Sequence, residues 1–217
     1  MIELLVFDVD GTLTNGDITY SSGLEEFKTF NVNDGFAIVF WTKHLGKKAA
    51  IITGRESKIV EYRANELKIE YLYQNVKDKL QVLDEILKKE GLNYNQVAAI
   101  GDDLNDLKML KKAGLSFAPQ NAHELIKNSV NVVCKKSGGS GAAREMIEYI
   151  LKEDGLEEEF FHALSGNAGI TLHLIQDRGR NKHHIIEATF KAFAVALRRA
   201  LVKNEKLGIP STKGVLW

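Results

Sequence analysis

The chain has few features that would indicate secretion, a membrane or a polyanionic partner. Cys134 is the one cysteine among 217 residues, so no internal disulfide can form, which is typical of the reducing cytosol. The 29 basic and 29 acidic residues give a formal net charge of zero, so bulk charge favours neither nucleic acid nor an anionic membrane as partner. No apolar run approaches the roughly 20 residues of a membrane span. The N-terminal apolar run is interrupted at Asp8, which argues against a signal peptide. We expect a cytoplasmic globular protein.

Acidic side chains follow two short apolar runs that are typical of buried strands. Asp8 and Asp10 come after the first apolar run of the chain, and Asp102 and Asp103 come after another. Carboxylates held close together at the ends of buried strands raise one another's pKa unless a cation lies between them. Either pair alone also fits a structural role, the first as a turn and the second as a helix N-cap. Together they favour a divalent metal that takes part in phosphoryl chemistry.

Strand-like runs alternate with amphipathic helix-like segments along most of the chain. The predicted strands are residues 3–7, 49–52, 71–73, 97–100, 115–118 and 130–133. The predicted helices are residues 35–45, 57–67, 77–90, 104–112, 123–126 and 142–151. This alternation predicts an α/β fold, a Rossmann-like parallel sheet with helices on both faces. Ligands of such sheets bind beyond the carboxyl ends of the strands. The polar residues predicted at such ends are Asp8, Asp10, Thr53, Asp102 and Asp103.

The segment between Asp17 and Val32 departs from this alternation. Its pattern around Ser21-Ser22-Gly23 predicts a β-hairpin inserted directly after the first strand. If the hairpin is exposed, its apolar residues favour self-association, and if it folds back they cover its own domain. The sequence leaves both alternatives open.

Four sequence motifs occur in order and identify a family resemblance. They are DVDGTLT from Asp8, IITGR ending at Arg55, VKDKL containing Lys79, and GDDLND from Gly101. They resemble the motifs of the haloacid-dehalogenase-like phosphohydrolases. The chain between them is too short for a large cap domain. With FNVNDG, TGRES, YQNVKDK and GGSGAARE, residues of about 1–155 resemble the capless branch that acts on 3-deoxy-D-manno-octulosonate 8-phosphate.

This resemblance implies a role for each motif residue. Asp8 would attack the phosphoryl group to form an aspartyl-phosphate, and Asp10 would act as general acid and then general base. Asp8 and Asp102 would bind Mg²⁺ together with the Asp10 carbonyl, and Asp103 would support that site. Thr53 and Lys79 would hold the phosphoryl oxygens. The motif VKDKL also offers Lys77, but the spacing of Lys79 to the next helix matches the family.

The same resemblance indicates where the rest of the substrate would bind. Arg55, Arg63 and Arg144 are the cationic residues that could meet the carboxylate of an acidic sugar, although each could equally be a solvated helix residue. The remaining substrate-binding candidates are the motif residues Gly54 and Asn105. One departure from the family is Asn33, where a basic residue is common. The resemblance also implies a homo-oligomer, a tetramer, as the working form.

The last quarter of the chain has a different character. His184 and Glu187 lie one helical turn apart on a predicted helix over residues 185–202, so both could ligate one metal ion. The stretches EEFFHAL, NAGITLHL, HHIIEATFKAF and PSTKGVL resemble the C-terminal end of imidazoleglycerol-phosphate dehydratase. In that family the manganese ligands would correspond to His173, His183, His184 and Glu187, and the phosphate contacts to Ser211 and Lys213.

We therefore predict two parts, a phosphatase domain over residues 1–155 and an incomplete dehydratase-like segment over residues 157–217. The segment would form an α-β-α appendage whose strand is residues 170–175. It lacks the other half of the dehydratase repeat and of its metal site, so we expect no dehydratase activity. A gene fusion or frameshift product, an engineered chimera and an appendage for assembly all fit such a chain.

Three function classes follow from these patterns. The one favoured is a Mg²⁺-dependent phosphomonoesterase acting on an acidic keto-sugar phosphate. The second is a non-catalytic fusion or assembly protein. The third is a Mn²⁺-dependent lyase at the C-terminal histidines, which is disfavoured because half of the required site is missing.

Overall fold

The computed structural model describes residues 1–154, 161, 164–166, 170–175, 178 and 182–200. The chain divides into two compact units, Met1–Gly169 and Ile170–Trp217. The predicted domain boundary near residues 155–157 falls outside the described residues and stays a prediction. Among the described residues, no helix combines the length and the apolar character needed to cross a bilayer.

A six-stranded parallel sheet forms the centre of the first unit, in the order β5-β4-β1-β6-β7-β8. Its strands are β1 (Leu4–Phe7), β4 (Lys48–Ile52), β5 (Tyr71–Tyr73), β6 (Val97–Ile100), β7 (Leu115–Ala118) and β8 (Val132–Val133). The first strand pairs with β4 on one side and β6 on the other, with Phe7 opposite both Ile51 and Ile100. This register brings the carboxyl ends of the three central strands to one edge. The predicted α/β fold with a Rossmann-like parallel sheet is confirmed.

Helices cover the sheet where the sequence predicts them. The first unit contains α1 (Val32–Val39), α2 (Lys58–Glu66), α3 (Lys79–Glu90), α4 (Leu107–Lys112), α5 (Glu124–Lys127) and α6 (Ala142–Asp154). The first of these begins three residues earlier than predicted, because the Asn31 side chain caps it by accepting a hydrogen bond from the Asn33 amide. A π-helical turn over Phe40–His44 then follows α1.

The alternation of side chains along β1 divides the core between the two faces of the sheet. Leu4 and Val6 pack on one face with residues of α3 and α4, among them Leu83 and Met109. Leu5 and Phe7 point to the opposite face, where α1 packs against α6. All four residues of β1 are fully buried, so this strand positions the residue that follows it with little freedom.

The predicted hairpin insertion is present as β2 (Thr19–Tyr20) and β3 (Glu26–Phe27), paired antiparallel. Its apolar side chains remain largely exposed in the single chain, with Ile18 at 51%, Tyr20 at 56% and Phe27 at 53%. Its polar side chains, by contrast, contact the domain that carries it, as described below. The polar residues of the hairpin therefore fold back on its own domain, whereas its apolar residues stay exposed, and self-association through them stays a prediction.

The C-terminal unit differs from its prediction in one element. Its helix α7 (Lys182–Ala200) covers most of the predicted segment 185–202. Residues 170–175, predicted as the strand of an α-β-α appendage, have no regular secondary structure. The physical reason is that a strand needs a hydrogen-bonded neighbour, and the described part of this unit supplies none.

Candidate active site

Asp8 lies directly after β1, at the carboxyl edge of the sheet, and is only 4% exposed. The chain turns sharply after it, and the Val9 carbonyl accepts backbone hydrogen bonds from the amides of residues 12, 13 and 14 at 2.9–3.2 Å. Gly11 makes this turn possible, because its φ is +95° and a Cβ there would lie 2.1 Å from Asp102 Oδ2. The turn thus brings the loop after β1 against the loop after β6.

Lys79 places a buried ammonium group between two carboxylates. It is the first residue of α3, and the Asp78 side chain caps that helix by accepting from the amides of residues 80 and 81. The Lys79 Nζ lies 2.5 Å from Asp8 Oδ1 and 2.6 Å from Asp106 Oδ1. Burial by itself lowers the pKa of Lys79, but the two carboxylates outweigh it and hold the pKa above its usual value.

Asp106 is the acidic residue that the sequence prediction did not assign. It is fully buried, and its second oxygen, Oδ2, accepts from the amides of Asp102 at 3.1 Å and Asp103 at 3.3 Å. The Asp103 side chain is exposed instead, and its Oδ1 accepts from the Leu104 amide. Asp102 and Asp106 both lie in the loop before α4, so no helical periodicity indicated that they would meet.

Asp8, Asp102 and Asp106 each offer an oxygen within 4.8 Å of the others. Burial raises the pKa of Asp8 well above its usual value, and burial together with Asp106 raises the pKa of Asp102 to about 6. A divalent cation among them would favour the charged carboxylates, and clustered carboxylate oxygens are ligands that suit Mg²⁺. The residues present therefore fit a magnesium ion, and the assignment of Asp8 and Asp102 as its ligands stays a prediction.

A second loop supports the turn that follows Asp8. The Asn121 side chain donates to the Gly11 carbonyl at 2.9 Å and accepts from the Gly138 amide at 2.7 Å. The Gly139 amide donates to the Thr12 carbonyl at 3.1 Å. A Cβ at Gly138 would lie 1.9 Å from the Gly11 carbonyl oxygen, so the close approach requires glycine. The sequence showed the glycine run but gave no indication of Asn121 as its partner.

Thr53 follows β4 and completes the edge of the sheet. It is 2% exposed, and its backbone is held on both sides, because its amide donates to the Tyr73 carbonyl and its carbonyl accepts from the Val76 amide, each at 3.0 Å. A Cβ at Gly54 would lie 3.7 Å from Asn105 Nδ2. The loops that carry Thr53 and Asn105 therefore meet at this edge, as the motifs predict.

The hairpin supplies charged partners to the same edge. Lys28 Nζ contacts Asp10 Oδ1 and lies 3.4 Å from Glu26 Oε1. Glu26 also accepts from Arg55 at 2.7 Å and from the Ser57 hydroxyl at 2.7 Å. Partial burial opposes ionisation of Glu26, but the Ser57 hydrogen bond and the two cations outweigh it and lower its pKa. Arg55 and Asp10 are thus joined to the hairpin by side-chain contacts.

The other two candidate arginines make contacts within the fold. The Arg63 guanidinium lies over the Phe30 ring and donates to the Asn31 carbonyl at 3.3 Å. Arg144 donates to Glu148 at 2.7 Å and to the Asn33 side chain at 3.1 Å. Asn33, the departure from the family pattern, is therefore a hydrogen-bond partner of Arg144.

The C-terminal candidates can be placed only in part. His173 is exposed in the segment before α7. His183, His184 and Glu187 lie in the first two turns of α7 by backbone position. Ser211 and Lys213 lie outside the described residues. The proposed manganese ligands therefore stay predictions.

We expect removal of the Lys79 charge to destabilise the protein in a pH-dependent way. In Lys79→Met, buried Asp8 and Asp106 lose their counter-ion, so the free energy of unfolding in a metal chelator should fall by about 3–5 kcal/mol near pH 9. A carboxyl whose pKa is raised in the folded state favours folding less as the pH rises, so the deficit should shrink toward acidic pH.

Urea unfolding at several pH values measures this effect. Lys108→Met is the matched control, because that side chain is 76% exposed and its nearest carboxylate, on Asp78, lies 3.9 Å away. It should cost less than about 1 kcal/mol at every pH. If the loss of unfolding free energy in Lys79→Met does not change with pH, Lys79 does not act as the counter-ion of the buried carboxylates.

Two families match parts of the chain. The haloacid dehalogenase-like hydrolase family matches residues 32–146, and the imidazoleglycerol-phosphate dehydratase family matches residues 99–197. An imidazoleglycerol-phosphate dehydratase of Aliarcobacter butzleri is 87% identical over 61 residues, which are 28% of this chain and 32% of the relative. The chain thus spans about a third of the length of that dehydratase. The resemblance of its C-terminal segment to a fragment of this enzyme is confirmed.

The phosphatase relatives are covered over most of their length. The 3-deoxy-D-manno-octulosonate 8-phosphate phosphatase of Escherichia coli K12 is 40% identical over 159 residues, 73% of this chain and 84% of the relative. The crystal structure of the Moraxella catarrhalis phosphatase of the same name, in complex with magnesium, phosphate and KDO, matches with a TM-score of 0.72 and 40% identity over 75% of this chain and 93% of that one. The cobalt-bound enzyme of Haemophilus influenzae matches with a TM-score of 0.67 and 35% identity over 71% and 90% of the two chains.

For the residues that precede the C-terminal segment, these matches and the geometry of the motifs indicate the same family. The chain belongs to the haloacid dehalogenase-like hydrolases, and within them it is a phosphoric monoester hydrolase related to the 3-deoxy-D-manno-octulosonate 8-phosphate phosphatases.

Proposed function

We propose that this chain is a Mg²⁺-dependent phosphatase of 3-deoxy-D-manno-octulosonate 8-phosphate or a related acidic keto-sugar phosphate. The observation that carries the proposal is the contact of Lys79 with both Asp8 and Asp106, with the Asp102 carboxylate beside them at the end of the sheet. The names of the similar phosphatases supply the substrate class.

In the proposed reaction, an Asp8 oxygen attacks phosphorus and the bond to the sugar oxygen breaks, which leaves an aspartyl-phosphate. Asp10 gives its proton to the departing sugar oxygen, so the sugar leaves as a neutral alcohol. Asp10 then takes a proton from water as the water attacks phosphorus, which releases phosphate and regenerates the Asp8 carboxylate. Lys79 and Thr53 hold the phosphoryl oxygens throughout, where positioning and charge neutralisation give most of the catalysis.

Asp8, Asp102 and the backbone carbonyl of Asp10 would hold the magnesium ion. When bound, the ion neutralises charge on the transferring phosphoryl group and orients it. Asp106 keeps the amides of Asp102 and Asp103 in place and binds Lys79, so its role is to position the residues around it. Asp103, which is exposed, would act on the site only at a distance.

Arg55 is the arginine that we assign to the carboxylate of the sugar. It directly follows the Thr53-Gly54 motif, and its side chain is 36% exposed. The Glu26 carboxylate binds its guanidinium, which shows that a carboxylate can reach this group. Arg63 and Arg144 are bound instead at the start of α1, by the Asn31 carbonyl and the Asn33 side chain, and would help substrate binding only by supporting α1 and α6. A cytoplasmic location and a homo-oligomeric, tetrameric form complete the proposal.

We propose further that the C-terminal segment has no dehydratase activity, because it corresponds to 32% of the length of its dehydratase relative. Full-length protein with imidazoleglycerol phosphate and Mn²⁺ should therefore show no turnover above a blank without enzyme. Clear turnover that is lost in His184→Ala would overturn this and establish a manganese site.

The nucleophile is tested by Asp8→Asn, which keeps the shape of the side chain and removes its charge. Wild-type protein should release phosphate from 3-deoxy-D-manno-octulosonate 8-phosphate with Mg²⁺, and the variant should be at least about 10³-fold slower. The matched control is Asp84→Asn, an exposed aspartate of α3 whose partner is Tyr94. Wild-type protein that is inactive on this ester and on the phosphate ester of a related nine-carbon keto-acid sugar would refute the substrate assignment.

The two adjacent aspartates should respond differently to magnesium. Asp102→Asn removes a proposed ligand and should raise the Mg²⁺ concentration for half-maximal activity by about 10- to 100-fold. Asp103→Asn removes an exposed carboxylate outside the cluster and should raise it by less than about threefold. Titration of Mg²⁺ into chelator-treated protein measures both. Equal shifts would show that Asp103 belongs to the metal site as much as Asp102 does.

A further inference from the structure

Lys28 is a buried cation on an otherwise exposed hairpin. Its side chain is 2% exposed, whereas Phe27 beside it is 53% exposed and Leu24 at the turn is 83% exposed. Removing an ammonium group from water is costly unless carboxylates surround it. The hairpin thus directs the Lys28 side chain inward, toward the loop that follows β1.

Two carboxylates receive this cation. Lys28 Nζ contacts Asp10 Oδ1 directly, and Glu26 Oε1 lies 3.4 Å away. Glu26 in turn binds Arg55 and Ser57, each at 2.7 Å. The hairpin is therefore already attached to the loop after β4 through Glu26. Holding the hairpin against its domain does not require a second charged contact. The Lys28 contact is nevertheless present, and it is made to Asp10, the proposed general acid.

The backbone around Asp10 fixes its position but not the direction of its carboxylate. The hydrogen bonds of the turn are made by the Val9 carbonyl, the Gly11 carbonyl and the Thr14 hydroxyl. None of these bonds involves the Asp10 carboxylate, of which 20% is exposed. A carboxylate with one solvent-facing side has several rotamers open to it, and each places the proton at a different distance from the leaving oxygen.

We propose that Lys28 is a positioning residue for Asp10, an inference that rests on the proposed phosphatase function. Lys28 holds Asp10 Oδ1, so Oδ2 carries the proton that passes to the sugar oxygen as its bond to phosphorus breaks. The same contact keeps Asp10 in place when it takes a proton from the attacking water. Lys28 keeps its own protons throughout and touches neither substrate nor phosphate.

A purely structural role makes a different prediction. If Lys28 only anchors the hairpin, its loss acts on the sugar ester through Arg55, which Glu26 holds, and costs nothing more once Arg55 is absent. If it aims the general acid, its loss matters only where the leaving oxygen needs a proton. A sugar alkoxide needs one, whereas p-nitrophenolate leaves as a stable anion. The parameter kcat/KM covers the steps up to aspartyl-phosphate formation, in which the leaving group departs.

The experiment compares kcat/KM for 3-deoxy-D-manno-octulosonate 8-phosphate and for p-nitrophenyl phosphate, in the full chain with Mg²⁺. Lys28→Met should lower the value for the sugar ester by about 100-fold and that for the aryl ester by less than about threefold. Lys28→Arg keeps a cation and should restore most of the sugar-ester value. In an Arg55→Met background, where the hold of the hairpin on Arg55 no longer matters, Lys28→Met should still lower the sugar-ester value by about 100-fold.

The results separate this inference from the proposed function. Equal losses on both esters in Lys28→Met, or a sugar-ester loss that disappears in the Arg55→Met background, would overturn the positioning role and leave the phosphatase intact. Wild-type protein that hydrolyses neither ester would overturn the proposed function and this inference with it. If Lys28→Met unfolds at a lower urea concentration than the wild-type protein, the test moves to Lys28→Arg. A folded Lys28→Arg protein that does not recover the sugar-ester kcat/KM would also overturn the proposal.

Discussion

The candidate site depends on one buried cation, the ammonium of Lys79, held between Asp8 and Asp106. These residues come from the start of α3, the end of β1 and the loop after β6, so the contact joins three elements that are distant in the chain. A charge this deeply buried is stable only when it is paired with charges of the opposite sign. In the proposed reaction the same ammonium would hold the phosphoryl oxygens, so the contact that stabilises the edge of the sheet is the one that the proposed chemistry would use.

Two kinds of support surround this cation. The first is the backbone of the loops, which is fixed by fully buried strands and by Gly11 and Gly138, two glycines that no larger residue could replace. The second is the hairpin, which contributes charged side chains that reach Asp10 and Arg55. In the proposed function, the first kind of support would position the nucleophile and the metal ligands, and the second would position the groups that meet the sugar. Phosphoryl transfer would then depend on the rigid sheet and substrate selection on the hairpin.

The joined C-terminal segment illustrates what a fragment keeps when its fold is divided. Its helix α7 is present, because the hydrogen bonds of a helix are local. Residues 170–175 form no strand, because a strand depends on hydrogen-bonded neighbours and the described residues of this segment supply none. Within those described residues, the high identity to a dehydratase is accompanied by a helix but by no sheet.

The sequence by itself determined the order of strands and helices and the four motifs with Asp8, Asp10, Lys79 and Asp102, because hydrophobic periodicity and motif spacing are local properties. Only the tertiary structure decided which charged side chains meet. It brought Asp106 rather than Asp103 into the carboxylate cluster, and it joined Lys28 to Asp10. The physical reason is that the direction and burial of a charged side chain depend on partners far away in the chain, which spacing along the sequence does not reveal.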